Sequence, residues 1–164
     1  MTEELIIVEQ IKYNSQEFQQ ACQLRYQLFY AEHGLSWDVV RDERQANYFH
    51  GAILKQNLLV AYGQLVPQSN DIYQICQMVV KPGYQGQNYG SRILYFLIEK
   101  AQQERAISFQ ERSVIAVTLN ARLSAVGFYQ KFGFQTQGEQ FPSRTTGIPH
   151  ITMNQTITAV PKLK

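Results

Sequence analysis

The chain lacks most features that would set it apart from an ordinary soluble domain. No apolar run approaches the ~20 residues a membrane helix needs. The opening Met1-Thr2-Glu3-Glu4 is acidic, without the basic-then-apolar layout of a signal peptide. A soluble, cytoplasmic protein with no membrane partner is expected. Only two cysteines occur, Cys22 and Cys76, each in an apolar-rich run and with no C-x-x-C pair. Free thiols in a reducing cytosol are the expectation. Charge of one sign is scarce too. The net charge of +2 excludes the marked basic surplus of a nucleic-acid binder. His33, His50 and His150 fall on separate stretches without cysteine or carboxylate at zinc spacing, so no metal is expected. Internal repeats and low-complexity linkers are absent.

What remains is a globular composition, 45% hydrophobic and 17% charged, with an aromatic share of 12%. A length of 164 residues fits one domain spanning the whole chain, 1–164. Leu5–Ile11 is β-branched-rich and reads as a strand. Asn14 or Ser15 can cap a following helix with Phe18, Ala21, Cys22, Leu28 and Phe29 at helical spacing, stopped by Gly34. Ser36–Gln45 reads as a loop with a helical turn. Tyr48–Leu54 and Leu58–Val66 are strands joined by a tight turn at Gln56-Asn57. Ile72–Val80 continues this meander. Gln87–Arg105 reads as a helix with Ile93, Leu94, Leu97, Ile98 and Ala101 buried. Ser113–Leu119 is a buried strand. Asn120 can cap a helix whose stripe is Ala125, Phe128, Tyr129 and Phe132, ended by Gly133. Phe134–Phe141 and Pro149–Ile157 close the chain as strands. The order β-α-β-β-β-α-β-α-β-β predicts an α/β (α+β) fold: a mixed, mostly antiparallel sheet of six to seven strands with helices on both faces.

The stretch Val79-Val80-Lys81-Pro82-Gly83-Tyr84-Gln85-Gly86-Gln87-Asn88-Tyr89-Gly90 joins a strand to a helix. Its glycines let backbone pass close to a ligand. The helix start offers free N–H groups and the positive end of the helix dipole, which suits phosphate. A glycine-rich connection with no ligand is the plainer alternative. The spacing is neither G-x-G-x-x-G nor G-x-x-x-x-G-K-[ST], so both nucleotide motifs fail.

Here the sequence resembles the GNAT superfamily of N-acetyltransferases. The family's pyrophosphate loop runs Gln or Arg, two residues of any kind, Gly, any residue, then Gly or Ala. Gln85-Gly86-Gln87-Asn88-Tyr89-Gly90 matches at the first and last positions and carries Asn88 where Gly is usual. Asn is the non-glycine residue best able to take φ > 0. Leu119-Asn120-Ala121, Ala125 and Phe128-Tyr129-Gln130-Lys131-Phe132-Gly133-Phe134 resemble a later family motif, in the right order. Leu24-Arg25 through Phe29, Glu32 and Gly34, with Gly138-Glu139 and Gly147-Ile148-Pro149-His150 through Met153, resemble the ElaA-like branch.

The resemblance implies direct transfer of an acetyl group from acetyl-CoA, the co-substrate, to a primary amine of a small molecule or peptide, with no acyl-enzyme. It implies CoA contacts at Gln85, Gly86, Gln87, Asn88, Tyr89, Gly90 and Ser91. Pantetheine contacts are implied at the main chain of Met78, Val79 and Val80, and at Asn120, for which helix capping is the plainer role. Tyr129 is the implied general acid: a phenol of pKa about 10 stays protonated at neutral pH and can donate to the leaving thiolate. Its other reading is an aromatic of the buried stripe. Many family members carry a base on the fourth strand, where this chain has Gln74 and Gln77. Glu32, Glu139, His150 or water are the remaining bases. Arg25 falls within the first helix's apolar stripe, with Glu32 further along the same face, and a charge there needs a partner. An Arg25–Glu32 or Arg25–Asp pair that braces the fold is expected, with a substrate anchor at the mouth of the cleft as the alternative. The acidic Asp38, Asp42 and Glu43 read as a solvated loop, with attraction of a cationic acceptor as the alternative.

Two other readings stay open. One is a CoA-binding sensor or interaction module without turnover, suggested by the missing Glu on the fourth strand. The other is an acyltransferase with a longer acyl donor, because R-x-x-x-F-x-x-E also resembles acyl-homoserine-lactone synthases. Exposed aromatics would suit a homodimer.

Overall fold

A computed structural model describes residues 4–69, 71–108 and 113–159. Seven strands hydrogen-bond in the order β1-β2-β3-β4-β5-β7-β6. They are β1 (Ile6–Gln10), β2 (Phe49–Lys55), β3 (Leu58–Ser69), β4 (Ile72–Val80), β5 (Ser113–Arg122), β6 (Gln135–Pro142) and β7 (Pro149–Ala159). Three α-helices intervene: α1 (Gln16–Phe29), α2 (Tyr89–Ser108) and α3 (Val126–Gln130). Short helical turns occupy Ala31–His33, Trp37–Val40, Glu43–Asn47 and Leu123–Ala125. The mixed, mostly antiparallel sheet is the one the element order predicts. No helix among the described residues is long and apolar enough to cross a membrane.

The chain divides into two compact units, Met1–Val66 with Gln77–Ile98, and Pro67–Cys76 with Glu99–Lys164. In the first unit, β1, β2 and β3 pair antiparallel, with α1 between β1 and β2 and a hairpin between β2 and β3. Its tight turn has Gln56 and Asn57 at φ 51 and 67. Two left-handed residues are what a type I′ hairpin requires, and the twist of that turn matches the strands. The Ser15 hydroxyl accepts from the Phe18 N–H at 3.1 Å and caps α1, satisfying one of the donors a helix start leaves open. The helix buries Phe18, Ala21, Cys22 and Leu24 against Ala52, Leu54, Leu59, Tyr62 and Val79. Gly63 on β3 permits a close approach: a Cβ there would lie 2.8 Å from Leu97 Cδ1 and from Met78 Sδ.

In the second unit, β4 pairs in parallel with β5 from Ile72↔Ala116 to Ile75↔Leu119. A parallel neighbour needs a long crossover, which the chain makes through α2. β5 pairs with β7 over its whole length, from Ser113↔Ala159 to Arg122↔His150, and β6 covers the other edge of β7. Ile115, Val117, Leu119, Phe134 and Met153 are fully or nearly fully buried here. Two expectations change. β5 continues through Asn120 to Arg122 because β7 offers it a partner at every position, so Asn120 is a strand residue and not a helix cap. The stripe around Tyr129 folds as one helical turn plus the five-residue α3, neither with a side-chain cap. Gly127 inside that short segment is a poor helix former. Neither Cys22 nor Cys76 forms a disulfide among the described residues.

Candidate functional site

The loop after β4 is built by its own backbone. Lys81 N–H donates to Val60 O at 2.8 Å and ties the strand end to β3. Tyr84 N–H donates back to Lys81 O, and Gly83 takes φ 90 to close the turn. Gly86 and Asn88 are left-handed, at φ 77 and 67. Asn88 therefore takes the conformation its substitution for glycine requires. The first bond of α2 runs from Arg92 N–H to Asn88 O at 3.1 Å. The amides of Tyr89, Gly90 and Ser91 precede it, with the positive end of the helix dipole behind them. Tyr89 is buried against Tyr84 and pins the helix start. Gln85, Gly86, Gln87 and Asn88 are exposed. The Gln85 and Gln87 amides donate back to Val80 O and Gly83 O.

Before the loop, β4 holds a backbone irregularity that the sequence does not announce. Gln77 sits in the strand at φ 57. A left-handed residue interrupts regular strand backbone and re-aims the residues that follow; here those are Met78, Val79 and Val80. For a glutamine the conformation costs about 1–3 kcal/mol. The compensation is visible. Arg25 Nε donates to Gln77 Oε1 at 3.0 Å, and a hydrogen bond to a charged group contributes about 1.5–3 kcal/mol. Tyr30 Oη reaches the same oxygen at 3.4 Å.

The expected Arg25–carboxylate pair is not what forms. Glu32 lies 3.4 Å from His33 Nε2 instead, and among the described residues no carboxylate pairs with Arg25. The Arg25 guanidinium is held by Gln77, by Gln45 Oε1 at 2.8 Å, and by the face of Tyr62 at 5.7 Å. Gln45 Oε1 also accepts from Gln64 Nε2. Gln45 O accepts from His50 at 2.7 Å, so His50 carries its proton on Nε2 and its Nδ1 accepts from Tyr62 Oη at 2.6 Å. Arg25, Gln45, His50 and Gln64 are the buried polar or charged side chains among the described residues, and all four belong to this one network. Burial is the main reason the His50 pKa is lowered; the Arg25 charge adds to it. Sequence reading singled out Arg25 but missed its partners. The available signal was Gln64, a strongly polar residue in the otherwise apolar Leu58–Val66.

The acidic loop is largely neutralised internally. Asp42 is gripped by Arg44 through two oxygens, which holds its carboxyl below the usual range. Asp38 lies 3.5 Å from Arg41. A cavity of about 550 Å³ is lined by Tyr13, Phe18, Trp37 and Val40, with Asp42 and Glu43.

In the second unit, Tyr129 is 8% exposed, with Phe128 and Phe134 edge-on to its ring. Its hydroxyl has no hydrogen-bond partner among the described residues. Burial, reinforced by Cys76, pushes its pKa up to about 12. Asn120 is exposed, and its Oδ1 accepts from Thr152 Oγ1 at 2.8 Å. Of the candidate bases, Glu139 is exposed on β6. His150 donates from Nδ1 to Ile148 O at 2.8 Å and stacks on Phe141, which leaves Nε2 as its proton acceptor. Gln74 is hydrogen-bonded to Gln68. Among the described residues, no group of three His, Cys, Asp or Glu side chains is placed to hold a metal ion.

The sequence profile of the acetyltransferase (GNAT) family matches residues 12–134. An uncharacterized N-acetyltransferase, YitI of Bacillus subtilis (strain 168), is 26% identical over 141 residues, covering 82% of this chain and 89% of that protein. The crystal structure of Escherichia coli ElaA superposes with a TM-score of 0.72 at 22% identity, covering 91% of this chain and 99% of that one. An aminoglycoside 6'-N-acetyltransferase complexed with coenzyme A has a TM-score of 0.68 at 18% identity, covering 96% and 99%. At these identities the two structures bear on fold alone.

Proposed function

The chain belongs to the acetyltransferase (GNAT) family, and from that premise we propose that it transfers an acetyl group from acetyl-CoA directly to a primary amine of a small molecule or peptide. The observation that carries the reading is the loop into α2. Its left-handed Gly86 and Asn88, and the free amides of Tyr89, Gly90 and Ser91 ahead of Arg92, form a backbone cradle suited to a pyrophosphate. In this reading the main chain of Met78–Val80 and the amide of Asn120 bind the pantetheine arm. Tyr129 is the general acid: it is protonated at every physiological pH and its hydroxyl is uncommitted. The attacking amine, of pKa near 10, must first lose a proton. His150 is the side chain best prepared to accept it, because its Nδ1–H is held by a carbonyl and its Nε2 is the acceptor; water serves where it does not.

Calorimetric titration with acetyl-CoA and transfer assays over primary amines and peptides test the proposal. Binding followed by amine acylation is the expected result. Binding with no amine acylated would turn the reading to the sensor, a possibility supported by the engagement of Gln74 and Gln77 with other residues. A preference for long-chain acyl-CoA would move the donor. Gly90→Asp places a carboxylate where the pyrophosphate is proposed, and should weaken acetyl-CoA about tenfold or more, ~1.4 kcal/mol per decade. Unchanged affinity would mean the anion sits elsewhere.

A further inference from the structure

We infer that Arg25 is a positioning residue: its guanidinium, bonded to Gln77 Oε1, holds Gln77 in the left-handed conformation that sets the main chain of Met78–Val80 for the acyl-CoA arm. Three observations converge on this. Gln77 is the strand residue of β4 that stands at positive φ, 57, and it carries a Cβ that disfavours that region. Its side-chain oxygen accepts from both Arg25 and Tyr30, two residues of one helix and its C-terminal cap. The guanidinium is in turn fixed by Gln45, which Gln64 and the His50 ring hold from the other side.

The chemistry of the network argues against a purely stabilising role. A buried cation whose hydrogen-bond partners are neutral, with the Asp42 carboxylate feeling its charge only as a minor influence, is a poor stabiliser, and an apolar side chain of similar volume would serve the fold as well or better. What the planar fork provides is direction. Arginine donates along fixed, divergent vectors from Nε and Nη1, so it can grip Gln77 and Gln45 together, whereas a lysine ammonium is a single flexible point. The network therefore converts the rigidity of α1 and β3 into a defined φ at one residue of β4.

The inference rests on the acyl-CoA reading for the purpose of the left-handed Gln77, but not for its cause. Two measurements separate these. Backbone carbon chemical shifts at Gln77, taken without ligand, report its φ. Wild type should show the left-handed signature; Arg25→Met and Arg25→Lys should lose it or average it. Acetyl-CoA titration of the wild type decides the acyl-CoA reading by itself, whatever the shifts show. Given binding, a double-mutant cycle decides the link. Glycine takes positive φ without help, so a Gln77→Gly background has no use for the Arg25 contact. Arg25→Met should weaken acetyl-CoA about tenfold in the native background, and by no more than about twofold, the scatter of independent sites, in the Gln77→Gly background. Where Arg25→Met fails to fold, Gln77→Met keeps Arg25 and removes only the acceptor, and should lose the left-handed shift. Equal losses in both backgrounds, or a left-handed shift that survives Arg25→Lys and Gln77→Met, would overturn the proposal.

Discussion

As the proposed acid, Tyr129 must stay protonated, and burial raises its pKa in the direction that favours this. Replacing it with phenylalanine keeps the ring contacts to Phe128 and Phe134 and removes only the donor. Turnover should fall on the order of a hundredfold, with acetyl-CoA affinity unchanged; unchanged turnover would remove Tyr129 from the acid role. The same burial has a consequence for stability. The folded-state pKa is raised from 10.0 to about 12, so the stability linked to the neutral phenol is complete below the ordinary value and is lost as pH rises through about 12. Urea midpoints across that alkaline window should fall more steeply for wild type than for Tyr129→Phe. His50 acts in the opposite direction. Its pKa is lowered from 6.5 by burial, so its contribution is present above that value and is lost on acidification, as the unfolded chain takes up a proton that the fold refuses. His50→Gln should flatten the acid limb of stability, read by urea midpoints on either side of the ordinary histidine pKa.

Elements show where backbone conformation, not side-chain chemistry, sets the outcome. In the β4–α2 loop, Asn88 stands at φ 67. Asn88→Gly should keep acetyl-CoA affinity or improve it. Asn88→Val forces a β-branched residue into that region, at a cost of about 1–3 kcal/mol, and should weaken binding; equal affinity for the two variants would separate the loop conformation from binding. At the β3–α2 contact, Gly63→Ala adds a methyl 2.8 Å from Leu97 Cδ1. Overpacking of this kind costs about 1–3 kcal/mol, measurable as a lower urea midpoint with an unchanged slope. The loop was legible because left-handed backbone selects Gly and Asn, and those residues are written in the chain. The segment after β5 was misread because Asn120 followed by an apolar stripe is the usual signature of a capped helix. In the fold, β7 runs alongside through Arg122, and pairing with a neighbouring strand outweighs local propensity.

For the whole molecule, ligand binding and folding are linked. If acetyl-CoA binds the native state alone, a concentration of a hundred times Kd should stabilise it by about 2.7 kcal/mol. Thermal unfolding with and without acetyl-CoA should show that shift, and Gly90→Asp should reduce it. The amino-acid sequence by itself determined the order of the elements, the hairpin at Gln56-Asn57, the glycine-rich loop between β4 and α2 and the family resemblance. These depend on residues a few positions apart, through periodicity, capping and permitted φ, so they can be read along the chain. Tertiary structure alone decided what became of Arg25. Sequence spacing pointed to Glu32 on the same helix face, but the guanidinium took Gln45, 20 residues away, and Gln77, 52 residues away. Both are neutral amides with nothing in their local sequence to mark them as partners of a cation. Burial made the choice: a guanidinium withdrawn from water bonds whichever acceptors the folded core brings within reach, and folding placed those of Gln45 and Gln77 there.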